Sequence, residues 1–132
     1  MADYFNNFSL VLTLPNEETR KYALDLAEQA QAEEILETFP ASLRDVIEDW
    51  AFDTDPSDNC GLWLHSSSGG VDAMCAFIQH LLQSFDPSGC VTFEWSHDCS
   101  KPRVDAFGGG AAIITAENVK SMTTSEWLQK HA

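Results

Sequence analysis

VDAMCAFIQHLLQSFDPSGCVTFEW, residues 71–95, carries the two periodicities that set the fold class. Val71, Met74, Cys75, Ile78, Leu81, Leu82 and Phe85 recur at three- and four-residue steps, which predicts an amphipathic helix with one apolar stripe. Asp86-Pro87-Ser88-Gly89 ends it. Val91, Phe93 and Trp95 then switch to a two-residue period, the signature of a strand with one buried face. A strong helix feeding a strong strand points to an α+β domain.

Upstream, Cys60 to His65 reads as a short apolar strand, with Leu62 and Leu64 on one face and Trp63 on the other. The preceding Asp53 to Asn59 reads as a turn-rich loop, and Ser66 to Gly70 as the entry to the helix. Phe8 to Leu14 alternates through Leu10, Leu12 and Leu14 as the first strand, ended by Pro15. Asn16 is placed to cap a helix whose first turn carries Glu17 and Glu18. Tyr22, Ala23, Leu26, Ala27 and Ala30 face inward, and the helix is expected to run to about Glu37. After Phe39-Pro40, Ser42 to Asp45 resembles a capping box opening a second helix, with Leu43, Val46, Ile47 and Trp50 on one face.

Downstream, Gly108-Gly109-Gly110 enters a fourth strand at Ala111 to Thr115. A last helix from Thr124 or Ser125 to Lys130 is expected to pack through Trp127 and Leu128. The order is β-α-α-β-α-β-β-α in one domain. It predicts a four-stranded mixed sheet with helices mainly on one face, the last two strands pairing as a hairpin and helical excursions allowing parallel crossovers earlier. The strand order stays open.

The chain has 132 residues, 44% of them hydrophobic, enough for a real core. Its net charge of −14 excludes direct binding of nucleic acid or anionic membrane through the long-range field and favours basic surfaces. The acidity is regional. From Glu17 to Asp58, thirteen acidic side chains face three basic ones, leaving only four net negative charges for the other 90 residues. Glu28, Glu33, Glu34, Glu37, Asp45, Glu48, Asp49, Asp53 and Asp55 form the candidate partner-binding surface. Such carboxylates either decorate a solvated helix face or compete with nucleic acid for a basic, nucleic-acid-handling host protein. Asp53, Asp55 and Asp58 lack the glycine and glutamate that a calcium loop needs, so no metal is assigned.

The second half offers a different chemistry. Ser67, Ser68, Gly69 and Gly70 precede a helix N-terminus, where backbone amides can cradle an anion, although a helix-entry loop capped by serine explains the same residues. His97, Cys99, Lys101 and Arg103, with Gly108 and Gly109, complete a candidate ligand region. His97 and Cys99 lack zinc-site spacing, and no third group orients a Cys-His nucleophile, so neither a catalytic residue nor a cofactor is assigned. Lys101 and Arg103 have a simpler use as ion-pair partners of Asp98 or Asp105. Three successive glycines imply positive φ, a bulge or close backbone approach.

Cys60, Cys75, Cys90 and Cys99 are expected as reduced thiols, because the N-terminus MADYFNNF lacks a signal-peptide pattern; no apolar run reaches the length of a membrane span. Both point to a cytoplasmic protein.

CSKPRVDAFGGGAAIITA, residues 99–116, resembles a segment of small uncharacterised proteins of bacteriophages, prophages and plasmids. GLWLH, FIQHLLQSFDP and the tryptophan-containing last helix are similar too, so the resemblance covers roughly residues 60–130. It implies a mobile-element protein made in a bacterial cell and transfers no catalytic residue. The expected function is that of a non-enzymatic acidic accessory protein binding a basic, nucleic-acid-handling host protein; by analogy, this class includes inhibitors of CRISPR and restriction systems that imitate DNA. The alternatives are a ligand-binding or enzymatic site between the Ser66–Gly70 loop and the His97–Gly110 segment, or a structural or assembly component of a phage particle.

Overall fold

Pro56 sits in a strand, and that placement changes the fold from the one expected. In the computed structural model, which describes residues 4–32, 37–104 and 106–132, the elements are as follows. β1 (Tyr4–Thr13) leads to α1 (Glu17–Ala32), a four-residue α2 (Ala41–Arg44) and a 3-10 turn at Ile47–Asp49. β2 (Asp53–Ser57), β3 (Gly61–Ser66) and α3 (Val71–Phe85) follow. β4 (Cys90–Cys99), β5 (Gly108–Thr115), β6 (Val119–Thr123) and α4 (Thr124–His131) complete the chain.

The strands form one six-stranded sheet in the order β2-β3-β1-β4-β5-β6, each named strand antiparallel to its neighbours. The four-stranded mixed sheet is therefore corrected in strand number and direction. Two strands escaped the sequence reading. β2 carries Asp53, Asp55 and Pro56, residues that discourage strands, but it lies at a sheet edge, where proline forfeits no ladder hydrogen bond. β6, VKSMT, is the opposite edge and is too short and too polar to show a buried face.

β2 and β3 are joined by a turn in which the Gly61 N–H donates to the Asp58 carbonyl at 3.0 Å. Asn59 and Cys60 both take positive φ, 57° and 60°, the sense that matches the twist of a hairpin. The central β1 is shared lengthwise. Phe8 to Thr13 pair with β3, and Tyr4 to Asn7 pair with β4. The expected parallel crossover is absent because the chain returns from α1 through β2, so β3 runs against β1.

Element boundaries also move, β1 beginning at Tyr4 and not at Phe8. The described part of α1 ends at Ala32, and residues 33–36 fall outside the described residues. The expected second helix shortens to α2 plus the 3-10 turn, held by three-residue backbone hydrogen bonds from Val46, Asp49 and Trp50 and lacking a side-chain cap. The His97-to-Cys99 segment and all three glycines lie within β4 and β5, not in loops.

Other features match the sequence pattern. The Asn16 Oδ1 accepts from the Thr19 N–H at 2.9 Å, the expected cap of α1. Leu62, Leu64, Phe93, Ala112 and Ile114 point toward the helix-covered face, where Met74, Phe77, Ile78 and Leu81 of α3 and Ala23, Leu26 and Ala30 of α1 meet them. Phe8 packs edge-on to Phe93 at 5.8 Å, and Trp50 stacks on Phe52 at 4.8 Å. Cys75 is buried among these apolar groups. Among the described residues no helix is long and apolar enough to cross a membrane.

Candidate functional site

α1 buries Thr19, Ala23, Leu26, Ala27 and Ala30, so helical geometry sends Glu18, Asp25 and Glu28 to its outer side. The helix lies beside the β2 edge. Arg20 donates to the Ser57 carbonyl at 2.6 Å and to Glu17 at the same distance, and Gln31 donates to Asp53 at 3.3 Å. Each element carries exposed carboxylates along this shared edge, Glu17, Glu18 and Glu28 on α1 and Asp53 and Asp55 on β2, and Asp58 is exposed in the turn that follows. Glu37, Asp45, Glu48 and Asp49, between them in sequence, are exposed as well. Glu33 and Glu34 lie outside the described residues.

Several of these carboxylates also make internal contacts. Asp49 Oδ2 accepts from the Ala73 N–H at 3.2 Å and so caps α3 from the preceding turn. Asp55 Oδ2 meets His65 Nε2 at 2.7 Å, and the His65 ring stacks on Trp63 with centroids 3.8 Å apart.

The Ser66–Gly70 loop is committed internally. Ser66 Oγ donates to the Ala51 carbonyl at 2.7 Å and accepts from the Ser68 N–H at 2.9 Å. Asn6 clasps the loop on both sides: its N–H donates to the Ser67 carbonyl and its carbonyl accepts from the Gly69 N–H, each at 3.2 Å. The residue before α3 is Gly70, at φ 88°, not a capping serine. Asp49 thus takes the Ala73 amide and sets a carboxylate at the helix N-terminus, where it repels an anion.

Asn6 also meets His97, Oδ1 to Nδ1 at 2.8 Å. The structure thus brings Ser67, Ser68, Gly69 and His97 together around one asparagine. His97 pairs with Gly108 across the β4–β5 ladder. The remaining candidates do not join them. Cys99 pairs with Tyr4 while His65 pairs with Ser9, five residues further along β1 and therefore about 17 Å away. Lys101 and Arg103 lie in the exposed loop after β4, where the Arg103 N–H donates to the Lys101 carbonyl. The expected partner Asp98 accepts from Asn7 instead, at 3.3 Å, and Asp105 lies outside the described residues.

Gly108 and Gly109 line a groove of about 650 Å³, and a second hollow of about 350 Å³ adjoins it at the His97 end. Trp95, Met122 and Trp127 wall it, and Glu94, Ser96 and Asn7 supply polar atoms. The glycines have a structural reason. A side chain at Gly110 would occupy the space of the Trp95 indole, and one at Gly109 would meet the Trp95 carbonyl oxygen. The Gly109 N–H donates to Thr124 Oγ1 at 3.1 Å, tying β5 to the start of α4. Sequence reasoning missed Asn6, Trp95 and Trp127 as members of this region. Their signal is cross-strand: Trp95 stands directly opposite Gly110, and that register follows only from the assembled sheet.

Among the described residues no three His, Cys, Asp or Glu side chains stand close enough to hold a metal ion. No family model, curated protein or solved structure matches the chain.

Proposed function

We infer that the chain is a protein-binding module that engages a basic surface through the edge formed by α1 and β2. The observation that carries this reading is the meeting of α1 and β2 at one edge, each with exposed carboxylates: Glu17, Glu18 and Glu28 on the helix, Asp53 and Asp55 on the strand. Folding has concentrated a charge that sequence alone leaves as a run. Like charges gathered this way lower stability by mutual repulsion and gain attraction when a basic partner arrives. A nucleic-acid-handling host protein presents such a surface, and the expected mobile-element origin makes a bacterial cell the place to look.

The test is capture of partners from a bacterial lysate by the tagged chain at about 0.05 and 0.5 M salt, which brackets the range over which exposed charges become screened. Expected is a basic nucleic-acid-binding protein held at low salt, released at high salt, and lost when Glu18, Glu28, Asp53 and Asp55 are changed to their amides. Capture of no such protein at either salt, or capture indifferent to those substitutions, overturns the reading.

A further inference from the structure

Among the described α-helices, α4 alone buries no residue. Helical spacing puts Thr124, Trp127, Leu128 and His131 on one face, yet Trp127 is 52% exposed and Leu128 58%. The expectation that this helix packs through those two side chains is therefore not met within the chain. Beside it, β6 is the last strand of the sheet, and the outer row of its backbone N–H and C=O groups has no strand to pair with. Val119 on that strand and Phe107, which shares a groove rim with Thr124 and Ser125, are exposed as well. An apolar helix face and an open strand edge thus adjoin.

Charge decides what fits there. Residues 100–132 hold four basic and three acidic side chains, a net of +1, so the first 99 residues hold −15 of the total −14. Two copies approaching by the α1–β2 edge bring carboxylates together. The β2 edge, with Asp53, Asp55 and Pro56, is guarded against strand pairing. Of the two sheet edges, the β6–α4 edge is the one on which this acidic chain can meet another like itself.

We propose that a second copy docks at this edge, β6 against β6 across a two-fold axis, with the apolar faces of α4 closing over the seam. Antiparallel pairing centred on Ser121 sets each Lys120 opposite Met122 of the other copy and keeps the two lysines apart. The surface is distinct from the α1–β2 edge. It also differs in its response to salt, which screens the mutual repulsion of two −14 chains and leaves apolar contact intact.

Sedimentation equilibrium from about 1 to 100 µM chain, at about 0.05 and 0.5 M NaCl, tests it. Expected is twice the 14.6 kDa chain mass, with association unchanged or tighter at high salt. Trp127→Glu combined with Leu128→Glu should weaken association at least about 30-fold, as loss of apolar anchors at an interface centre does. Both side chains are exposed, so the variant should keep the wild-type far-ultraviolet circular dichroism. Asp53→Asn with Asp55→Asn should leave association no weaker. A monomer throughout that range overturns the proposal, as does a dimer that survives the α4 variant or dissociates with the β2 variant. A monomer whose tryptophan emission shifts to the blue on adding phosphatidylcholine vesicles would assign the patch to a lipid surface instead.

Discussion

Gly110 and Cys60 occupy opposite situations. At Gly110 the Trp95 indole lies where a β-carbon would stand, so Gly110→Ala must displace an aromatic ring from the sheet. Overpacking of that kind costs about 1–3 kcal/mol, more than the unfolded-state entropy an alanine recovers. Urea unfolding should show that loss, and in a Trp95→Val background the same substitution should be near neutral, because the clash has gone. Cys60 is a non-glycine residue at φ 60°, a conformation glycine adopts without penalty. Cys60→Gly should therefore raise stability by about 0.5–1 kcal/mol, read as a higher urea midpoint at unchanged m. The sequence marks the glycine run as meaningful, but the tryptophan that explains it stands on another strand. Nothing local marks Cys60 as strained, since its φ follows from the hairpin.

At the scale of elements, legibility tracks how much apolar pattern each element carries. α3 and β4 were readable because their buried faces are continuous, through Met74, Ile78 and Leu81 on one and Val91, Phe93 and Trp95 on the other. β2 and β6 were not, because edge strands are held by one neighbour's backbone and need no apolar face. The same distinction governs the candidate site. Acidic residues could be named from sequence, whereas the contacts that withdraw Asp49 from that surface are tertiary. Its carboxylate caps α3 at Ala73, so Asp49→Ala should cost about 1 kcal/mol in urea unfolding and Asp49→Asn distinctly less, since the amide oxygen can still accept. If Asp49 were only a solvated charge, both variants would match wild type. A second inter-element contact is pH-sensitive. Tyr22 of α1 meets His80 of α3, hydroxyl to Nε2 at 2.8 Å, and burial pushes the imidazole below its ordinary value of 6.5. The unfolded chain then binds the extra proton first. Stability should be full above pH 6.5 and decline as pH falls through the depressed folded value. His80→Gln should remove that part of the decline between pH 7 and about 5.5, in a window above most carboxylate titration.

For the whole molecule, the sheet order sets the distribution of charge. β2 and β6 are its two edges, so the acidic α1–β2 side and the weakly basic β6–α4 side are separated by the full width of six strands, about 24 Å at the usual strand spacing. That exceeds the Debye length of about 8 Å at physiological salt, so the two edges act independently there. Crowded carboxylates on one side repel one another in the folded state more than in the extended chain, and this self-repulsion opposes folding. Added salt should therefore stabilise the protein: at pH 7.5, in dilute samples of the Trp127→Glu/Leu128→Glu variant that exclude any contribution from association, the thermal midpoint should rise between about 0.02 and 0.3 M NaCl. Changing Glu18, Glu28, Asp53 and Asp55 to amides should raise the low-salt midpoint and flatten the salt dependence, because it removes the repulsion that salt screens. The same substitutions on a chain whose acidity were evenly solvated would move the midpoint little at either salt. A salt response that persists undiminished in the amide variant would place the destabilising charge elsewhere than the α1–β2 edge.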